Sequence, residues 1–210
     1  CRRAVEKLCS MLGYKPVILR LEEEGFTMGD VARLYRKPCS PCGTIKRYWT
    51  NRMALELEAD IVLTGHNLDD TVEVLFNAYL TGSLQTILKL KPKLEQRDGL
   101  VARAKPLILH TDMETLYYAA IAGIPFRSVN CRYARGSRSL ERKRLIEEIA
   151  ARIPNYKHTM LSTHLRVFQP LLEGRAEAQP KLGRCSLCGM PSAAEVCSCL
   201  LYTSDAADDG

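Results

Sequence analysis

Short apolar runs alternate along the chain with segments of helical periodicity. The run at 16–21 predicts a short buried strand, and the run at 60–64 predicts another, which ends at Gly65. A helix is predicted next, over about 68–80, and the order strand, glycine turn, helix is the βα unit of a parallel sheet. We therefore predict an α/β fold with a doubly wound parallel sheet, in which ligands lie at the carboxyl ends of the strands.

Capping residues and apolar periodicity predict further helices. Their expected spans are about 2–12, 27–34, 44–58, 111–122 and 139–152. Thr27 is expected to cap one of them, and a capping box from Thr111 to Glu114 opens another, which Gly123 closes. A strand is predicted over 125–129.

The composition is typical of a globular chain. Its 210 residues are 46% hydrophobic, enough for one α/β domain with a small appendage. The sequence shows neither a run of about 18 apolar residues nor a basic-then-apolar leader. It therefore predicts a cytoplasmic protein without a membrane span.

The net charge of +6 is unevenly spread along the chain. Residues 33–52 contain basic side chains and no acid, namely Arg33, Arg36, Lys37, Lys46, Arg47 and Arg52. This segment predicts a polyanionic partner. For any single residue, the alternative is an ordinary solvated helix surface.

Two of the nine cysteines stand at the start of the predicted basic helix. The helix dipole and the nearby Lys46 and Arg47 favour the thiolate form of Cys39 and Cys42, which suits metal binding or sulfur transfer. A thioredoxin-like redox pair is the alternative, but such pairs usually follow a strand closely. Cys131 could complete a three-cysteine site, although a lone cysteine is more often an inert core residue.

Four more cysteines lie within fifteen residues near the end of the chain: Cys185, Cys188, Cys197 and Cys199. Four thiolates could surround a tetrahedral Zn²⁺, and so short a segment has too little apolar area to fold without a metal. The alternative is four unpaired cysteines in a disordered tail. The segment therefore predicts a small zinc module.

The turn from Gly65 to Asp70 follows the second predicted strand. Glycine allows close approach of the backbone to a ligand, and a carboxylate at the following helix N-terminus can hold Mg²⁺ or a ribose hydroxyl. The alternative is purely structural: Asn67 caps the helix while Asp69 and Asp70 complement its dipole.

Taken together, these motifs resemble the TtuA-type tRNA 2-thiolation enzymes, a family that includes the eukaryotic cytosolic tRNA thiouridylase. The matching segments are 39–43 with Lys46 and Arg47, 64–70, 105–107, Cys131 and the terminal cysteines. The resemblance implies a PP-loop ATPase fold of the adenine nucleotide alpha-hydrolase type. It also implies ATP-driven replacement of a uridine C2 oxygen by sulfur in tRNA, with Mg²⁺ and an iron–sulfur cluster as cofactors.

The resemblance also implies roles for individual residues. Lys46, Gly65, His66 and Asp70 would contact ATP, and Lys46 and Asp70 would be catalytic together with the three cysteines that hold a 4Fe-4S cluster. Those ligands are Cys39, Cys42 and Cys131. The sulfur donor would be a ubiquitin-like carrier protein with a C-terminal thiocarboxylate, and the resemblance leaves room for a homodimer.

Three departures from the family pattern stand out. The Ser-Gly-Gly-x-Asp-Ser phosphate signature is absent, as is an N-terminal zinc module, and the terminal cluster closes with Cys197-x-Cys199 in place of C-x-x-C. We expect the first two to lie upstream in a longer protein, and this chain alone to be inactive.

The expected organisation has four parts. A PP-loop domain that lacks its first strand and phosphate loop covers 1–170, a linker covers 171–184, the zinc module covers 185–200, and a non-native tail covers 201–210. Two alternatives remain: TtcA-type 2-thiolation of a cytidine, against which the terminal zinc module argues, and a non-catalytic zinc-containing RNA-binding fragment.

Overall fold

The computed structural model describes residues 2–127, 131–134, 136–175 and 181–208. Its helices are α1 (Arg2–Met11), α2 (Met28–Leu34), α3 (Cys39–Glu56), α4 (Leu68–Leu80), α5 (Leu84–Lys89), α6 (Asp112–Ile121), α7 (Arg138–Ala150), α8 (Tyr156–Thr163), α9 (Gln169–Glu173) and α10 (Ser198–Asp208). The strands are β1 (Ile61–Leu63), β2 (Lys93–Leu94), β3 (Ala102–Ala104), β4 (Gly183–Arg184) and β5 (Pro191–Ser192). Short 3₁₀ turns cover Leu21–Glu24 and Arg132–Ala134, and a π-helical turn over His164–Phe168 joins α8 to α9.

The main sheet is small and mixed. Its strand order is β1-β3-β2, with β1 parallel to β3 and β2 antiparallel to β3. In the described residues, the predicted doubly wound parallel sheet is therefore represented by one parallel pair. The α/β class is confirmed, whereas a sheet of several parallel strands is not seen in this part of the chain.

The predicted strand at 16–21 is wrong. No strand of the described chain pairs with this segment, and its apolar side chains are exposed, Val17 by 64% and Ile18 by 41%. A strand exists only through its ladder hydrogen bonds, so an apolar run without a neighbour remains extended coil. Residues 125–127 of the predicted strand over 125–129 are also irregular, and 128 and 129 lie outside the described residues.

Helix starts follow the capping residues. Thr27, Asn67 and Thr111 each form a capping box with the residue three positions later. Helix α3, however, begins at Cys39, five residues before the predicted start. Pro41 lies in its first turn, where a missing N–H costs nothing, so the proline does not end the helix.

Two apolar clusters hold the helices together. One is centred on Leu68 and Val72 of α4, which pack against α7 and α8. The other joins Val31, Ile45 and Trp49 of α2 and α3 to the buried terminal cysteines. The cysteine-rich end is therefore packed directly against α3.

The segment predicted as a linker contains regular structure at both ends. Residues 171–173 belong to α9 and 183–184 form β4, while 176–180 lie outside the described residues. The predicted tail begins as the continuation of α10, where the Tyr202 ring meets Tyr35 edge-on at 5.2 Å. Among the described helices, none has the length and apolar character needed to cross a membrane.

Candidate active site and metal centre

Helix α3 runs antiparallel to β3. The Asn51 side chain accepts a hydrogen bond from the Val101 N–H at 2.9 Å, and the Arg47 carbonyl accepts one from Arg103 at 3.3 Å. The earlier residue of the helix lies beside the later residue of the strand, so the helix and the strand run in opposite directions. Its N-terminus, with Cys39, projects beyond the carboxyl ends of β1 and β3.

The Gly65 turn leaves the sheet at the same edge. The Thr64 N–H donates to the Ala104 carbonyl at 2.9 Å, and the His66 imidazole lies 2.9 Å from the Thr64 hydroxyl. A Cβ at Gly65 would meet nothing within 4 Å. The space above this glycine is open, as close approach of a ligand to the backbone requires.

Asp70 caps α4 and also pairs with a cation. Its backbone N–H donates to the Asn67 side chain at 3.0 Å, so the capping role of Asn67 is realised. The Lys143 ammonium of α7 donates to Asp70 Oδ1 at 2.6 Å and to Asp112 Oδ2 at 3.2 Å. Burial by itself would lower the pKa of Lys143. The two carboxylates have the larger effect, so the pKa of Lys143 is raised.

Asp69 faces inward, where it is 3% exposed. It accepts hydrogen bonds from the Lys157 ammonium and, at 2.6 Å, from the Asp112 N–H, and Lys157 also pairs with Glu147. Burial raises the pKa of Asp69, but these donors outweigh it and leave the pKa lowered. The buried pair thereby fixes the N-termini of α4 and α6 side by side, which positions Asp70 next to Asp112.

Replacing Asp69 with asparagine should destabilise the fold by about 3 kcal/mol, because it leaves a buried ammonium with one carboxylate fewer. The pKa of Asp69 is lower in the folded protein than its unfolded value of about 3.9. The Asp69 carboxylate therefore stabilises the fold fully above about pH 3.9, and this stabilisation is lost as the pH falls through the folded-state pKa. The free energies of unfolding of the two proteins, measured in urea from neutral to acid pH, should therefore converge.

Glu95→Gln is the control. Glu95 forms an exposed ion pair with Lys93, and loss of this pair should change the free energy of unfolding by less than about 1 kcal/mol. An Asp69→Asn protein as stable as the control would contradict this role.

Lys46 lies on the exposed surface of α3, one turn beyond Cys42. It has no carboxylate partner in the described part of the chain. Its charge is therefore available to an anion near the carboxyl edge of the sheet.

Cys39, in the first turn of α3, lies close to the segment that contains Cys131. The Cys39 sulfur lies 4.0 Å from the Tyr133 carbonyl, in the turn that directly follows Cys131. Cys39 and Cys131 are exposed and Cys42 is half-buried, and an open cavity of about 480 Å³ lies between Cys131 and the start of α7. Among the described residues, these three sulfurs do not all lie within 4.8 Å of one another.

The terminal cysteines form a tighter group. The sulfurs of Cys185, Cys188 and Cys197 all lie within 4.8 Å of one another, and the last two are 3.7 Å apart. Zn–S bonds of about 2.3 Å at tetrahedral angles separate two sulfurs by about 3.8 Å, so this group fits a zinc ion. Pairing of β4 with β5 and the left-handed turn at Gly189 hold the first two thiols in place.

Cys199 lies outside this group. It is 3% exposed and belongs to the apolar cluster beside α3, where burial raises the pKa of its thiol to about 12. Burial also raises the pKa of Cys185, but N–H donors from the backbone of Cys188, Cys197 and Leu187 outweigh it and lower the pKa to about 6. The structure thus brings together three of the four predicted ligands.

Zinc should depend on the three clustered thiols and not on the fourth. Cys185→Ser, Cys188→Ser and Cys197→Ser should each lose bound zinc, whereas Cys199→Ala should retain it, as measured by elemental analysis of the purified proteins. Zinc should also survive air oxidation, since a thiolate-bound Zn²⁺ has no redox chemistry. Loss of zinc from Cys199→Ala alone would show that the fourth thiol is a ligand.

Several residues of this region escape prediction from the sequence. Lys143, Asp112 and Lys157 reach the α4 N-terminus from other helices, and no local spacing connects them to Asp69 or Asp70. The only available signal is the acidic first turn of α6, which local reasoning assigns to its own helix dipole.

Comparison with known proteins identifies relatives of this chain. No protein-family model matches the chain. The tRNA-5-methyluridine(54) 2-sulfurtransferase of Pyrococcus horikoshii is 32% identical over 197 residues, covering 92% of this chain and 62% of the relative. The protein of the same name from Thermus thermophilus is 35% identical over 188 residues, covering 89% and 58%.

A solved structure shares the fold. The U34-tRNA thiolase NcsA of Methanococcus maripaludis with its 4Fe-4S cluster matches with a TM-score of 0.75 at 27% identity, over 97% of this chain and 64% of that one. The chain thus spans about three-fifths of the length of the curated relatives it matches. It is a homologue of the tRNA 2-sulfurtransferases, which confirms the family that its motifs resemble.

Proposed function

We propose that this chain forms the catalytic core of an ATP-dependent tRNA 2-thiolation enzyme of the PP-loop ATPase type. The observation that carries the proposal is that α3, which begins with Cys39 and Cys42, starts on the side of the sheet where the Gly65 turn leaves β1 and leads into α4 with Asp70. The names of the relatives support the same reaction class.

The reaction replaces the C2 oxygen of a uridine with sulfur. A carbonyl oxygen is a poor leaving group, so ATP first adenylates it, and AMP departs when sulfur attacks C2. Lys46 would neutralise phosphate charge, and Gly65 and His66 would line the nucleotide. Asp70, held by Lys143, would hold Mg²⁺ or orient the reacting groups.

The three cysteines Cys39, Cys42 and Cys131 fit an iron–sulfur cluster. Cys39 lies beside the turn that follows Cys131, and both cysteines are exposed, so the two segments could hold a cluster between them at the surface. A 4Fe-4S cluster held by these three residues would supply an iron able to bind the sulfur to be transferred. The exposed Cys39 and Cys131 keep that side of the site open to tRNA and to a carrier protein.

The remaining parts of the proposal concern partners and the terminal group. The basic segment 33–52 would bind tRNA phosphates, and a ubiquitin-like carrier with a C-terminal thiocarboxylate would deliver sulfur in the cytoplasm. Zinc on the terminal cysteines would be structural, because the group packs directly against α3 and the ligand set is all thiolate.

Nucleoside analysis tests this function. The protein expressed from its complete gene, prepared without oxygen, is incubated with unmodified tRNA, ATP and sulfide, and the tRNA is digested for mass spectrometry. Formation of 2-thiouridine or its 5-methyl form that requires ATP is the expected result. Formation of 2-thiocytidine would favour the TtcA-type alternative, and tRNA binding without any thiolated nucleoside would favour a binding module.

A further inference from the structure

The stretch from 149 to 172, which contains α8, has no aspartate or glutamate. Its lysine and arginine side chains are Arg152, Lys157 and Arg166. Lys157 is buried and already bound by two carboxylates. Arg152 and Arg166 are exposed, and within the described residues neither forms an ion pair. This stretch therefore presents uncompensated positive charge to solvent.

An open groove of about 380 Å³ runs along one side of α8 and the turn that follows it. Its polar lining side chains recur at helical spacing: Asn155, His158, Thr159, Ser162 and Arg166. Its other lining side chains are leucines, and among the described residues that line it none is acidic. Amide and hydroxyl groups supply hydrogen bonds and the guanidinium supplies charge, so the lining suits an anion that carries several oxygens.

The groove begins beside the proposed catalytic edge. The His158 imidazole lies 3.1 Å from the Leu109 carbonyl. The next carbonyl, that of His110, accepts a hydrogen bond from the Leu68 N–H at 2.8 Å. Leu68 opens α4, the helix that carries Asp70 in its first turn. One end of the groove therefore adjoins the loop that borders the N-terminus of α4.

We propose that this groove binds the phosphate backbone of the substrate tRNA, in addition to the basic segment 33–52. This inference rests on the proposed function. A helical rise of about 1.5 Å per residue separates His158 from Arg166 by about 12 Å, which spans about three phosphates of one strand. Hydroxyl, amide and arginine side chains are the groups that contact nucleic-acid phosphates. A tRNA bound there is held next to the edge at which its uridine reacts.

The lining favours RNA over a protein partner. The centre of a protein interface is typically rich in aromatic residues and methionine, and no Phe, Tyr, Trp or Met is among the described residues that line the groove. A carboxylate near its first end is already engaged. Hydrogen bonds from Thr111 lower the pKa of Glu114, and the charge of His158 lowers it further. Arg166 lies at the other end, so its charge remains available to a phosphate.

Gel-shift titration with unmodified tRNA at several salt concentrations tests the groove, using the protein expressed from its complete gene. Arg166→Met should weaken tRNA binding by about threefold to tenfold at low salt, and should reduce the slope of log affinity against log salt by about one, since one phosphate contact is lost. Arg166→Lys keeps the charge and should retain the slope. The matched control is Arg3→Met on the exposed surface of α1, which should leave affinity and slope unchanged.

Thermal unfolding of each variant is measured alongside, and Arg166→Gln, which is polar at this exposed position, replaces Arg166→Met if that variant unfolds. Equal affinity and equal salt slope for Arg166→Met and Arg3→Met would overturn the proposal. Weaker binding of the carrier protein with unchanged tRNA affinity would also overturn it and assign the groove to a protein. The titration needs neither ATP nor sulfide, so its outcome is independent of 2-thiouridine formation. Failure of the unmodified protein to bind tRNA would contradict the proposed function and this inference together.

Discussion

Lys46→Met and Asp70→Asn should each lower the rate of 2-thiouridine formation by about 100-fold or more, while tRNA binding is retained. Catalytic electrostatics are concentrated in a few groups, and the loss of one commonly costs that much in rate. Affinity for tRNA is instead spread over many basic side chains, each of which contributes modestly and is screened by salt. Asparagine at position 70 keeps an oxygen for the capping box, so the helix start is preserved.

The two substitutions have a matched control in the same basic segment. Lys37 is exposed and precedes α3, and Lys37→Met removes the same charge as Lys46→Met. Thiolation is followed by nucleoside analysis beside a gel-shift titration with the same tRNA. If Lys46→Met thiolates as fast as Lys37→Met, the catalytic role of Lys46 is wrong. If thiolation and tRNA binding fall in parallel, the residues belong to an RNA-binding surface.

The second large effect concerns iron. Protein purified without oxygen should carry an iron–sulfur chromophore, and Cys39→Ala, Cys42→Ala and Cys131→Ala should each lose most of it, because a cluster with two protein ligands is poorly held. Iron and acid-labile sulfide are measured with the visible absorbance. Cys9→Ala, in α1, should retain the full content.

Zinc analysis of the same preparations separates the two metal centres. The terminal cysteines form their own group beside α3, so the three alanine variants should keep their zinc. Full retention of iron in all three variants would contradict the assignment of the cluster to these cysteines. Simultaneous loss of zinc and iron would instead indicate that the substitutions unfold the protein.

Sequence reasoning succeeds here where the determining contacts are local. Thr27 caps α2 and Thr111 opens α6 with a capping box, both as predicted, because each side chain bonds to a backbone group only a few residues away. The span of α4 also agrees with its prediction, since apolar periodicity and cap coincide there. The start of α3 was predicted five residues too late, at about residue 44, because Pro41 lies in a first turn that tolerates proline.

The rest of the site depends on contacts that no local pattern encodes. Lys143 meets Asp70 across 73 positions, and Lys157 meets Asp69 across 88. The segment at 16–21 has a strand-like composition, but a strand needs a neighbour to pair with, and the described chain offers none. The contact of Cys39 with the Tyr133 carbonyl, just after Cys131, is likewise a product of the fold, so spacing alone leaves the third cysteine open.

ATP is expected to activate the uridine C2 oxygen for replacement by sulfur, and one isotope measurement tests this step most directly. The protein from its complete gene is given ATP, sulfide and tRNA whose uridine C2 oxygen carries a heavy-oxygen label, and the AMP produced is examined by mass spectrometry. Adenylation predicts that the label appears in the phosphate of AMP, in an amount equal to the 2-thiouridine formed. Recovery of the label in water or inorganic phosphate while 2-thiouridine accumulates would contradict the account.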